Sequence, residues 1–150
     1  MPMRRAALIA LALVFVLSGC GGGGSGRALT KEEYASKADE ICGTFNQQTK
    51  SLATPKNLSD LAKIADETLP ILDRAINDLA DLRPPASEKA LSDQWLAQVR
   101  NLRSDLQEIR DKAKSGDVAA VQAVVPKATD HNSQSNQLAT QLGMSVCNKD

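Results

Sequence analysis

Three cysteines, one histidine and scattered carboxylates are the groups in this 150-residue sequence able to act as nucleophile, metal ligand or proton carrier. His131 has Asp130 beside it and serines nearby, the residue types of an acyl-transfer relay. Adjacent residues on a helix do not face each other, and no G-x-S-x-G elbow is present to present a serine. His131 is therefore expected on a solvated helix surface. A lone histidine does not supply the clustered ligands of a zinc site. The inward Glu-x-x-His pairs of a di-iron bundle do not occur. The acidic pairs Asp39-Glu40 and Asp66-Glu67 diverge by about 100° around a helix, and are read as solvated. Gly21–Gly26 is not followed by Gly-Lys-Ser/Thr, so it is no phosphate loop. Asn57-Leu58-Ser59 is read as a helix cap rather than a glycosylation site. The expectation is a non-enzyme with no catalytic residue, metal or cofactor.

Cys20 stands apart from this. It follows Arg4, Arg5 and the twelve apolar residues Ala6 to Leu17, the charged head and short hydrophobic core of a secretory signal. Spanning a membrane takes roughly 20 apolar residues, so the stretch is short for a transmembrane helix. Leu17-Ser18-Gly19-Cys20 resembles a bacterial lipobox. The resemblance implies removal of residues 1–19 as a lipoprotein signal peptide and acylation of Cys20. Each buried methylene adds about 0.8 kcal/mol of membrane affinity, so more than one acyl chain gives a firm anchor. Residues 20–29 then form a flexible linker with an end-to-end distance of about 5–6 Å times √n. The expected address is the extracytoplasmic face of the cell membrane.

Removing Arg4 and Arg5 from 18 basic residues leaves 16 against 18 acidic ones, a net charge of −2. No basic patch points to nucleic acid. Residues 30–150 have the size of one domain. Their aromatic residues are Tyr34, Phe45 and Trp95, so Leu, Ile, Val and Ala must build the core. In an oxidising compartment the remaining pair, Cys42 and Cys147, most simply forms a disulfide. Thiol catalysis is the rival, although neither cysteine lies in a C-x-x-C or beside a histidine.

Four segments carry helical periodicity and almost nothing alternates as a strand does. The first opens on the capping box Thr30-Lys31-Glu32-Glu33, with Tyr34, Ala38, Ile41, Phe45 and Leu52 on one face and a Glu33–Lys37 surface pair. Thr54-Pro55 ends it or starts the next turn. The second spans about Asn57 to Leu82, with Pro70 expected to kink it. After Arg83-Pro84-Pro85 comes the third, about Ser87 to Ser115, whose seam is Trp95, Val99, Leu102, Leu106, Ile109 and Ala113. Gly116 stops it and Asp117 caps the fourth. The inward stripe of the fourth helix reads Val118, Val121, Val125, Ala128, Asn132, Ser135, Ala139 and Leu142, with a kink at Pro126. Short connections favour an all-α, antiparallel up-down four-helix bundle with kinked second and fourth helices, following the signal peptide and Gly-rich linker.

"LTKEEYASKADEIC", "DLRPPA" and the closing "LGMSVC" resemble small secreted proteins and lipoproteins of high-GC Gram-positive bacteria. That resemblance implies pairing of Cys42 with Cys147 and carries no assigned activity. Within the polar run of residues 129–137, Asn132 and Ser135 fall on the inward stripe. A buried amide without a partner costs about 1–3 kcal/mol. Either that helix is partly exposed or the two residues line a polar ligand pocket. The leading expectation is a lipid-anchored, non-catalytic protein that binds a cell-envelope partner. The alternative is a small-molecule binding module around Asn132 and Ser135.

Overall fold

The computed structural model describes residues 27–149; the signal segment, Cys20 and the linker through residue 26 lie outside them. Among the described residues the secondary structure is all helical: α1 (Lys31–Thr49), α2 (Leu58–Ala80), α3 (Lys89–Lys114) and α4 (Val118–Gln141). No strand occurs among them, and no helix there is long and apolar enough to cross a membrane.

Local chemistry sets the helix ends. The Thr30 side chain accepts the Glu33 N–H at 3.1 Å while Glu33 accepts the Thr30 N–H at 2.9 Å, the reciprocal capping box. Glu33 makes its close ion pair with Arg27 at 2.9 Å, and Lys37 adds a smaller favourable charge interaction. The preceding segment already lies against the α2–α3 loop, because the Leu29 N–H donates to the Arg83 carbonyl. Asn57 and Asp117 cap α2 and α4 by accepting N–H groups three residues on. Both α3 and α4 end in Schellman turns. Gly116 and Gly143 take φ of +74° and +82°, and the Asp117 and Met144 N–H groups reach back to the Lys112 and Ala139 carbonyls. An added Cβ at Gly143 would meet Ala35 Cβ only at 3.9 Å, so the backbone angle rather than space asks for glycine there. Pro70 and Pro126 sit inside α2 and α4, each of which is continuous through its proline.

Successive helices pack on one another, α1 on α2, α2 on α3 and α3 on α4. One buried cluster joins Tyr34, Ala35 and Ala38 of α1 to Leu79, Trp95, Ala139, Leu142 and Met144. A second joins Ala62, Ala113 and Val121 and contains no α1 residue. At 19 residues against 26 for α3, and about 1.5 Å of rise each, α1 is too short to run beside α3 to both ends. Ion pairs stitch α2 to α3: Asp73 takes a two-pronged contact from Arg103 at 2.8 and 3.1 Å. Asp66 meets Lys114 at 2.8 Å and Arg110 at 3.7 Å, so this acid is not merely solvated.

The expected inward stripe of α4 is corrected at two places. Val118 and Val125 are 53% and 48% exposed, while Val121 and Val124 are buried. A spacing of three at that point, rather than four, turns the buried face away from Val125.

The segment after α4 folds back on α1. Cys147 is disulfide-bonded to Cys42 with the Cα atoms 5.4 Å apart. Beside the bridge, the Asp39 carboxylate accepts the backbone N–H groups of Ser145, Val146 and Cys147 and the Ser145 hydroxyl, all at 2.8–3.0 Å. Asp39 was expected in solvent; the returning chain supplies donors that no spacing along α1 discloses. Partial burial raises its pKa, but the N–H groups of Ser145, Cys147 and Val146 outweigh this and hold it below the ordinary carboxylate value.

Two outcomes follow from this closure. Reducing the bridge opens a loop of 105 residues and should lower unfolding free energy by up to about 4–5 kcal/mol by chain-entropy reasoning, read as a lower urea midpoint in dithiothreitol. Asp39→Ala should cost about 1–2 kcal/mol at neutral pH, allowing for solvent screening. The folded pKa lies below the unfolded one, so the contribution is full above about pH 4 and fades as pH falls through the folded value. Urea midpoints of the two proteins should therefore converge in acid.

Candidate functional site

The strongest candidate site is a partly open cavity of about 140 Å³ lined by all four helices and the returning tail. It lies beside the α1-containing cluster, since Leu79 and Trp95 belong to both. Its apolar wall includes Phe45, Leu72, Leu79, Val99, Leu102 and Val146. The Cys42–Cys147 bridge forms part of the same wall, so the covalent closure of the fold is also a wall of the cavity. Exposed Asn46 and Lys149 stand where the wall reaches the surface.

Asn132 and Ser135, singled out by their place in the α4 stripe, both line this cavity. Ser135 is buried and Asn132 half-buried. Asn136 joins them one helical turn beyond Asn132. Opposite this polar strip the wall holds Trp95, 1% exposed, whose indole N–H has no acceptor among the described residues. A buried donor left without a partner costs on the order of 1–3 kcal/mol. Trp95 belongs to the α3 seam and also to this wall; its missing acceptor is visible only once the neighbouring helices are placed.

Tyr34, in the same cluster, shows the contrast. Its buried hydroxyl shares a 2.6 Å hydrogen bond with Ser92. Burial raises its pKa, with the Ser92 bond a smaller opposing effect. Two aromatic residues in one core thus differ: the phenol is satisfied internally and the indole is not.

A second polar centre joins α3 to α4. Asp105, 1% exposed, meets His131 Nδ1 at 2.6 Å and Lys127 Nζ at 3.0 Å, and Lys127 continues to Glu108 at 2.9 Å. His131 is thus no solvated surface residue. Its partner is not the adjacent Asp130 but a carboxylate on another helix. A carboxylate fixed on Nδ1 is half of a nucleophile-activating relay. In this place it also shares its charge with Lys127, whose pKa is raised first by the Glu108 bond and then by the Asp105 bond. The cluster therefore acts as an electrostatic clasp between two helices. Asp105 flanks the apolar seam of α3 at Leu106, and a charged residue at the edge of such a seam was the one available hint.

The acidic groups do not gather elsewhere: among the described residues no set of three or more His, Cys, Asp or Glu side chains is placed to hold a metal ion. A separate groove of about 240 Å³ runs between α1 and α2 past Ile41, Phe45 and Ile71; Phe45 and Ala75 are common to both hollows.

No family model, curated protein or solved structure matches this chain.

The clasp makes a separable prediction. Asp105→Ala removes the shared acceptor of His131 and Lys127 and should lower stability by about 2–4 kcal/mol, a value reduced from the cost at a fully buried pair because both partners reach water. Lys127→Met, which leaves Asp105 its His131 partner, should lower stability by less than Asp105→Ala does. Denaturation of the two variants side by side checks this.

Proposed function

We propose that the chain is a lipid-anchored, non-catalytic binding protein on the extracytoplasmic face of the cell membrane, held through Cys20, whose helical bundle takes up a small molecule. The observation that carries the binding reading is the cavity whose mostly apolar wall brings Asn132 and Ser135 together with the buried Trp95. Apolar walls with a few converging polar groups are what small-molecule sites are built from. The anchor reading is supported by the charged head, apolar core and Leu17-Ser18-Gly19-Cys20 sequence, with two or more acyl chains needed for firm retention. The net charge of −2 after signal removal supports no nucleic-acid partner.

In this reading the four helices alternate up and down as antiparallel neighbours, bent at Pro70 and Pro126. The order of the ion pairs supports the alternation: Asp66 with Lys114 and Asp73 with Arg103 between α2 and α3, then Asp105 with His131 and Glu108 with Lys127 between α3 and α4. In each set the numbers rise along one helix as they fall along the next. Each proline lacks the N–H of a helical hydrogen bond, which supports a bend.

A second reading, attachment to a cell-envelope protein, is favoured by Val118 and Val125. These exposed residues stand seven apart, on one side of α4.

Native mass spectrometry of the protein extracted gently from its own membranes tests these readings together. The expected mass lacks residues 1–19, carries lipid on Cys20, gains two protons on reduction and holds a small organic adduct. Ser135→Leu, which fills the cavity, should lose the adduct and keep the lipid. Absence of lipid overturns the anchor. A protein adduct abolished by Val118→Asp, with no small adduct, would replace the pocket reading by the second one.

A further inference from the structure

We propose that the cavity and the groove between α1 and α2 are two halves of one site, divided by the Phe45 ring, and that this site takes a single unbranched hydrocarbon chain ending in an uncharged polar head. This deepens the small-molecule reading above and rests on it.

The division follows from helical spacing. The cavity touches Cys42 and Asn46 of α1 and Leu72 and Leu79 of α2. The groove touches Ile41 and Thr44 of α1 and Ile71 and Asp78 of α2. Neighbouring residues point about 100° apart around a helix, so the two sets take different sides of the same helices. Phe45 and Ala75, one from each helix, line both hollows. The side chains common to the two are therefore one aromatic ring and one methyl group.

Phe45 is half-buried, with a hollow on either side of it. Close packing is what holds a ring in one orientation, and a ring that borders open space forfeits part of those contacts. A change of rotamer is common on binding. At Phe45 such a change joins the cavity to the groove past the small side chain of Ala75.

Size and lining then choose the ligand. The two volumes are about 140 Å³ and about 240 Å³. Since a cavity of about 150 Å³ holds benzene, the joined site holds roughly ten to fifteen carbon atoms. A flexible chain threads a passage one ring wide; a rigid fused-ring body does not. The groove has a half-buried apolar floor of Ile41, Phe45, Ile71 and Ala75. Its exposed rim is polar: Glu40, Thr44, Gln48, Arg74 and Asp78. Such a section suits an amphiphile whose chain runs inward along the floor while its head stays at the rim. Because the rim carries charges of both signs, it matches neither an anionic nor a cationic head. A hydroxyl head suits Thr44 and Gln48, each of which can donate and accept.

The full lipidated chain, held in lipid nanodiscs with carbon-13 in its isoleucine, leucine and valine methyl groups, is titrated with 1-hexanol, 1-octanol and 1-decanol at measured free aqueous concentrations. Val99 and Leu102 report on the cavity, Ile41 and Ile71 on the groove. Decanol should shift both sets with one common midpoint, and affinity should rise about fourfold per added methylene from hexanol to decanol. Ala75→Leu, which narrows the passage, should keep hexanol binding and remove the gain of decanol over it. Phe45→Ala, which removes the partition, should enlarge that gain. If affinity stops rising at hexanol, or the two sets of methyl groups titrate apart, the joined site is overturned and the cavity alone stands as the pocket. Decanoate or decylamine binding tenfold tighter than decanol overturns the uncharged head. If no alcohol moves either set while the spectrum stays dispersed as for a folded chain, this inference and the small-molecule reading fall together.

Discussion

The structure depends on the attachment of its last residues to its first helix. Along the chain, α1 is packed on α2, α2 on α3 and α3 on α4, a sequence of neighbours that by itself leaves the two ends to find each other. The Cys42–Cys147 bridge and the Asp39 carboxylate supply that closure from adjacent positions on α1. They work differently. The bridge limits the unfolded chain, whereas Asp39 satisfies three consecutive backbone donors that would otherwise point at a helix flank without partners. Met144, 2% exposed, lies between the Schellman turn and this anchor, so the turn, the apolar plug and the carboxylate form one continuous device.

Closure also makes the cavity. One of its sides is the tail and the bridge, and the others are side chains from all four helices. Small residues at Ala35, Ala38 and Ala139 let the elements approach closely in the adjoining cluster. Asn132 and Ser135 stand at the corresponding places of α4 farther along, where the apolar packing gives way to the cavity. Beyond it the Asp105 clasp forms the next polar layer, and the second cluster, without α1, completes the core. Polar layers of this kind cost desolvation, and such layers are one means by which a helical bundle is held to a single register.

Helix existence and type, and the capped ends, were legible because they rest on near neighbours; α1 instead stops at Thr49, short of Leu52 and Thr54-Pro55. Thr30 with Glu33, Asn57, Asp117, Gly116 and Gly143 act within a turn of their own position, and each appears at its expected boundary. The face of α3 was legible for the same reason, its apolar spacing being intrinsic to the helix. The α4 face was less so. Asn132 and Ser135 were placed on the inward stripe and do line the cavity, but Val118 and Val125 face water. Apolar spacing alone fits more than one rotation of a helix rich in valine and alanine, and only the neighbour chooses among them.

The sequence by itself determined what the backbone could do locally: four helices, their caps, the glycine stops and the two cysteines available in the domain. The tertiary structure alone decided which distant groups meet. It set Asp105 against His131 and Lys127, brought Asp39 to the turning tail, and left the Trp95 N–H without an acceptor among the described residues. The physical reason is the range of the interactions. Helix caps and periodicity act over three or four residues, while these buried and half-buried charges find their partners across 22 to 108 residues of chain.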